Sequence, residues 1–248
     1  MIDVSYNDFY KEVTDVFNNP RPWAHIRFGD GEGIVMRYPE KTSENHCRSR
    51  WTKWLGENNI DMKEFALEVR YAVEIADIVG IPCARHDQVN ADWRDGKKFT
   101  VNLIGKDQKS CCMDWTVQMQ KDGHYRTLLK NKELIYYISC RDVSAQIESC
   151  GVKNAIGYLL PPQHRPKMGN VCIARKHYPD LFNEIPFWLD GIEVENQIFL
   201  IGAGGLGKLY CTWVKERRGI ALDVGSLFDG WSGLVSRSYL KNIKEYKL

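Results

Sequence analysis

The chain has 248 residues, 44% of them apolar and 27% charged, and a formal net charge of +2. That length supports one domain, residues 1–248, with a substantial core, and the near-neutral balance excludes a global basic field that would select nucleic acid. No stretch approaches the roughly 20 apolar residues of a transmembrane helix, and the opening residues lack the basic start and apolar run of a signal peptide, so the expected location is the cytoplasm, including the inner face of the membrane.

In chain order, "SYNDFYKEVTDVF" places Phe9, Val13, Val16 and Phe17 on one helical face, and "NNPRP" ends that helix. "WAHIRFGD" reads as a short strand, and "GEGIVMRYP" as a turn into a short helix. Residues 61–77 give the clearest helix, with Phe65, Val69, Val73 and Ala72 or Ala76 at 3.6-residue spacing. "IVGIPC" is a buried strand. Residues 86–100 are polar and aromatic and read as a long loop; residues 110–130 read as helical in part. "ELIYYISCRD" is a strand with Arg141 at its end, followed by a helix in "VSAQIESC", a strand in "AIGYLL" and the proline-bounded loop that carries Arg165. The final third runs strand, glycine turn, helix and strand, from "NQIFLIGAG" to "IALDVGS". Strands alternating with helices predict an α/β fold with a mostly parallel, Rossmann-like sheet and helices on both faces. Ligands of such sheets gather at the carboxyl ends of the strands.

Eight cysteines are scattered without a CxxC pair. The spacing predicts buried apolar thiols rather than a zinc finger or a disulfide framework.

Two blocks carry chemistry. "GAGGLG" fits G-x-G-x-x-G through Gly202, Gly204 and Gly207, with Gly205 between them, and Asp223 follows Gly202 by 21 residues. This is the pattern of a dinucleotide site, with a pyrophosphate on the helix N-terminus. A tight strand-to-helix turn explains the same glycines. Lys208 suits a phosphate contact or a solvated surface position. The second block is "RFGDGE". Asp30 and Glu32 are alternate carboxylates able to share a hard divalent cation that also binds substrate phosphates. Gly29, Gly31 and Gly33 open the backbone to a ligand, and Arg27 offers a charge-assisted contact. The competing reading is a pair of carboxylates at a helix start.

"RFGDGE" resembles the metal-binding DxE signature of the GT-D type glycosyltransferases, bacterial enzymes of Rossmann-like fold that use nucleotide sugars. The stretch "LIGAGGLGKLYCTWVKERRGIALDVGSLFDGW" is similar to the end of the same family, and "RWTKWLG" and "PPQHR" match more loosely. Better-known members carry a more acidic, histidine-containing C-terminal motif where this chain has "GSLFDGW". The resemblance implies Mn²⁺ or Mg²⁺ on Asp30 and Glu32, a UDP-sugar or related donor, and a glycan, lipid-linked glycan or glycoprotein acceptor in bacterial surface polysaccharide or glycoprotein synthesis. Arg27, Arg141, Arg165 and Lys208 are the cations available to the leaving diphosphate. Asp223, Asp229, His86 and His124 are candidates for a general base, with Asp223 favoured for a role in the site. Trp51, Trp54, Trp93, Trp115 and Trp231 fall in polar or loop contexts, where rings stack on bases or sugars, although core packing is the usual fate of such rings. The alternatives are an NAD(P)-dependent oxidoreductase built on "GAGGLG" and a non-catalytic nucleotide-binding module.

Overall fold

Alternation along the strands decides the architecture. Ile135 and Tyr137 face one way and Tyr136 and Ile138 the other; Ile198 and Leu200 oppose Phe199 and Ile201 in the same manner. Both sets are buried, as a parallel sheet covered on two faces requires. The computed structural model describes residues 1–55, 60–84, 91–161, 175–242 and 248.

Eight strands form one all-parallel sheet: β1 (Ile2–Asp3), β2 (Trp23–Arg27), β3 (Ile78–Ile81), β4 (Lys109–Cys112), β5 (Leu134–Ser139), β6 (Asn154–Leu159), β7 (Ile198–Gly202) and β8 (Ile220–Asp223). Their order across the sheet is β1-β4-β3-β2-β8-β7-β5-β6. One face is covered by α1 (Tyr6–Asn18), α6 (Trp115–Lys121), α7 (His124–Leu129), α8 (Ser144–Glu148) and α11 (Leu227–Trp231). The other is covered by α2 (Asp30–Met36), α3 (Glu44–Leu55), α4 (Met62–Ile75), α9 (Phe182–Asp190) and α10 (Gly207–Glu216). β5 runs on to β6 on one side, whereas its neighbour β7 runs on to β8 on the other. That divergence creates a crevice at the carboxyl ends of the strands.

The expected helices near the N-terminus form as the periodicity requires. Ser5 caps α1 through the Asp8 amide, and Asp61 caps α4 through the amides of Lys63 and Glu64. Phe9, Val13, Val16 and Phe17 are buried on α1, and Phe65, Val69, Ala72 and Val73 on α4. The long loop expected over residues 86–100 is corrected from residue 91 onward, where α5 spans Ala91–Leu103; residues 86–90 lie outside the described residues. The closest contact of α5 is made through a glycine, with Phe99 and Leu103 half-buried against the core. A Cβ on Gly33 of α2 would come within 2.7 Å of Gly96 Cα, so the two helices meet backbone to backbone. Gly33 is thus a packing residue, not an opening for ligand. β4 is likewise added within the stretch read as partly helical.

Two histidines are sealed into the fold. His25 on β2 lies between Phe9 and the Cys111 sulfur, and His177 pairs through Nε2 with the Tyr210 hydroxyl at 2.6 Å. Burial pulls both imidazoles down to about 3. A folded pKa below the unfolded value means that the unfolded chain takes up protons first as pH falls, so stability is lost below about pH 6.5. Between pH 8 and pH 5 the expected loss is about 2 kcal/mol for each histidine. Urea denaturation at the two pH values measures it, and His25→Phe should remove about half of the pH dependence.

Candidate active site

The carboxyl ends of the central strands enclose a cleft of about 720 Å³, within the size range of small-molecule sites. Its walls come from segments far apart in sequence: Arg27, Gly29 and Glu32 from the end of β2 onward, Met113 and Asp114 after β4, Ser139 and Cys140 at the end of β5, Gly202 to Gly205 from the end of β7, and Asp223, Gly225 and Ser226 from the end of β8.

At the floor, the Lys208 ammonium joins the two motif blocks. Nζ lies 3.2 Å from Glu32 Oε1 and 2.9 Å from Asp223 Oδ2, and it donates to the Gly204 carbonyl at 3.1 Å. All three side chains are buried, with Lys208 only 6% exposed. Lys208 is therefore neither a solvated surface lysine nor an unengaged phosphate ligand. Burial alone would favour its neutral form, but the carboxylates of Asp223 and Glu32 outweigh that effect and raise its pKa. The other Glu32 oxygen, Oε2, accepts the Gly29 amide at 3.1 Å and so caps the start of α2.

Arg27 braces the same floor. Its Nε donates to the Met113 carbonyl at 2.6 Å and Nη1 to the Val224 carbonyl at 3.1 Å, while its backbone amide donates to Asp223 Oδ2 at 3.2 Å. Gly225 is required beside it: its φ is +55°, and a Cβ there would lie 2.5 Å from Arg27 Nη1. Arg141 lies just past β5. It is buried, with Nε bonded to Asp229 Oδ1 at 2.7 Å. Its Nη1 is buried without a hydrogen-bond partner among the described residues. Asp229 lines the cleft and also accepts the Ser236 hydroxyl.

The glycine turn is built by packing. A Cβ on Gly205 would meet Trp51 at 2.1 Å, and one on Gly202 would meet Phe228 at 2.4 Å. Gly204 has a φ of +59°, and a 3-10 turn, Gly204–Leu206, intervenes before α10. Asp223, the acidic residue a dinucleotide reading needs for a ribose, is 1% exposed and bound to Lys208.

The backbone of Asp30 opens α2, so residues 30 and 32 both belong to the first turn of a helix rather than to a loop. The Asp30 side chain, Arg165, His86 and the Trp54 side chain lie outside the described residues. Gly31 lies within α2, and its carbonyl accepts Trp51 Nε1 at 3.1 Å. Trp51 and Trp231 are core residues, and Trp115 packs on Tyr6 and Phe9. His124 stacks on Tyr10 at 3.8 Å. Of the four whose side chains are described, Trp93 alone lines the cleft, near Gly29. Three cleft cations escaped the sequence reading: Arg50, Lys121 and Arg237. Arg50 opens the "RWTKWLG" block without standing out within it, and Lys121 and Arg237 sit in stretches with no strand-end signal.

An all-parallel α/β sheet with a cleft across its carboxyl ends defines a Rossmann-like fold. A family model described as a GT-D fold-like domain matches residues 4–231, and the chain belongs to that GT-D-like family. Membership points to a glycosyltransferase. One solved structure, described as a selenomethionine-substituted structure of domain of unknown function 1792, shares the fold with a TM-score of 0.57 and 14% identity, covering 92% of this chain and 86% of that one. No curated protein matches the chain. Among the described residues, no helix is long and apolar enough to cross a membrane.

Proposed function

We propose that the protein is a metal-dependent glycosyltransferase. It moves a sugar from a nucleotide-diphosphate donor, with UDP-sugars favoured, to a glycan, lipid-linked glycan or glycoprotein acceptor in bacterial surface polysaccharide or glycoprotein synthesis. The observation that carries this reading is the convergence of residues 32, 208 and 223 at one cleft floor. It makes "RFGDGE" and "GAGGLG…LDVG" a single site, whereas a dehydrogenase reading leaves the first block without a task.

Transfer breaks the bond between the anomeric carbon and a phosphate oxygen as the acceptor hydroxyl oxygen bonds to that carbon. The sugar passes through an oxocarbenium-like state, and negative charge grows on the departing diphosphate. Fixed cations placed where that charge develops lower the barrier. Lys208 supplies one, held by two carboxylates and a carbonyl. Arg141 lies behind the cleft lining, where its Nε holds Asp229, which does line it. Asp223 is a positioning residue, because its Oδ2 is engaged by Lys208 and the Arg27 amide. Trp93 offers an aromatic face for the base or sugar.

The donor chemistry fits a hard cation. Glu32 uses one contact on each oxygen and keeps further lone pairs, and oxygen ligands suit Mn²⁺ or Mg²⁺. Asp30 and Glu32 would hold the ion, which when bound neutralises charge on the diphosphate.

Incubation with a panel of nucleotide sugars tests the reading. Release of the nucleoside diphosphate from at least one of them, with Mn²⁺ present and abolished by chelation, is the expected result. Absence of turnover with every nucleotide sugar, accompanied by NAD binding, would sink it.

A further inference from the structure

Cys83 and Cys112 are far apart in sequence, but the fold joins them. Cys112 closes β4 opposite Ile81 of β3, so Cys83, two residues beyond Ile81, reaches the same carboxyl edge of the sheet. Cys83, Cys112 and Asp114 each present a sulfur or carboxylate oxygen, and these three atoms lie within 4.8 Å of one another. All three residues are half-buried. Around a tetrahedral zinc with bonds of about 2.0–2.3 Å, neighbouring ligand atoms stand roughly 3.3–3.8 Å apart. Closure on an ion therefore needs small side-chain movements and no change of fold.

Two further features single out this cluster. The Asp114 backbone amide hydrogen-bonds the Cys112 sulfur, which fixes that sulfur beside Asp114. Asp114 also stands at the N-cap of α6, where an aspartate ordinarily accepts the first helical amides. Its carboxylate makes no such bond and instead lies with the two thiols.

We propose that Cys83, Cys112 and Asp114 form a site for one thiophilic divalent cation of the zinc class, distinct from the oxygen-ligand site of Asp30 and Glu32. On binding, each thiol releases its proton to solvent and a metal–sulfur bond forms, so two thiolates and one carboxylate hold the ion. The fourth position is left to water or to a ligand group. Soft sulfur donors select zinc over Mg²⁺ or Mn²⁺. The site ties the exit of β3 to that of β4 beside Met113, whose carbonyl receives Arg27 Nε. Its occupant would thus stiffen one wall of the cleft.

The test is titration of the reduced, chelator-stripped full chain with Co²⁺ and then Zn²⁺. One equivalent of Co²⁺ should give a near-ultraviolet thiolate-to-cobalt charge-transfer band that Zn²⁺ abolishes and excess Mg²⁺ does not. Cys112→Ser and Cys83→Ser should each weaken Zn²⁺ binding by about 100-fold or more and diminish the band, and Asp114→Asn should weaken binding by about 10-fold. Cys47→Ser, buried beside the Ile34 carbonyl and outside the cluster, should leave the band intact. Circular dichroism establishes that each variant is folded, and Cys83→Ser or Asp114→Asn decides the matter if Cys112→Ser is not. No band in folded wild-type protein, or a band and affinity unchanged in the folded site variants, would overturn the proposal. The readout uses no nucleotide, so its failure and failure of the glycosyltransferase reading are separate results.

Discussion

Lys208→Met is expected to destabilise the protein by about 3–5 kcal/mol, the range for breaking a buried ion pair by removing one partner. The substitution keeps the aliphatic stem but deletes the ammonium that sits between Glu32 and Asp223. Two carboxylates then share a buried space, and the Gly204 carbonyl loses a donor. Urea denaturation measures the loss. Adding Asp223→Asn and Glu32→Gln should recover part of it, because the three side chains act as a unit and their effects are not additive. A near-neutral Lys208→Met would show that the triad does not hold the floor of the cleft. The pH sense is also defined. Because the folded pKa of Lys208 is raised above 10.5, its contribution is complete below that value and is lost only as pH rises through the folded pKa. The bridge is therefore intact across the neutral range.

Glu32→Gln separates architecture from chemistry. Glutamine preserves size and keeps an oxygen for the Gly29 amide, so the expected stability loss is about 1–2 kcal/mol. It removes the negative charge facing Lys208 and weakens the oxygen-ligand set. Turnover of the donor should fall by about 10²–10³, the range seen when one charge-stabilising group is removed from a site. Nucleoside diphosphate release, measured beside urea denaturation, checks both halves. A folded variant with unchanged turnover would place Glu32 in the α2 cap alone.

The sheet was legible because its strands are short apolar runs punctuated by polar or glycine-rich ends, and because buried parallel strands need apolar residues on both faces. Helix α5 was not legible for an equally physical reason. Of its residues only Gly96 and Thr100 are fully buried, and its central contact is the glycine pair Gly33–Gly96, which leaves only the half-buried pair Phe99 and Leu103 as an apolar period to read. β4, "KSCC", is too short and too polar at its start to stand out. At the site, the residues could be named but not their partners. Lys208 looks solvent-facing in a helix until Asp223 and Glu32 are brought to it by the fold. The glycines of "GAGGLG" look like a phosphate cradle, and what they accommodate is Trp51 and Phe228. Cys83 and Cys112 became neighbours only when β3 and β4 paired.

The most direct test of the central claim is calorimetric titration of UDP into wild-type protein and Asp30→Ala, each with and without Mn²⁺, with NAD as the comparison ligand. UDP binding that requires Mn²⁺ and disappears in Asp30→Ala is the predicted result. NAD binding that needs no metal and survives the substitution, with no binding of UDP, would contradict it.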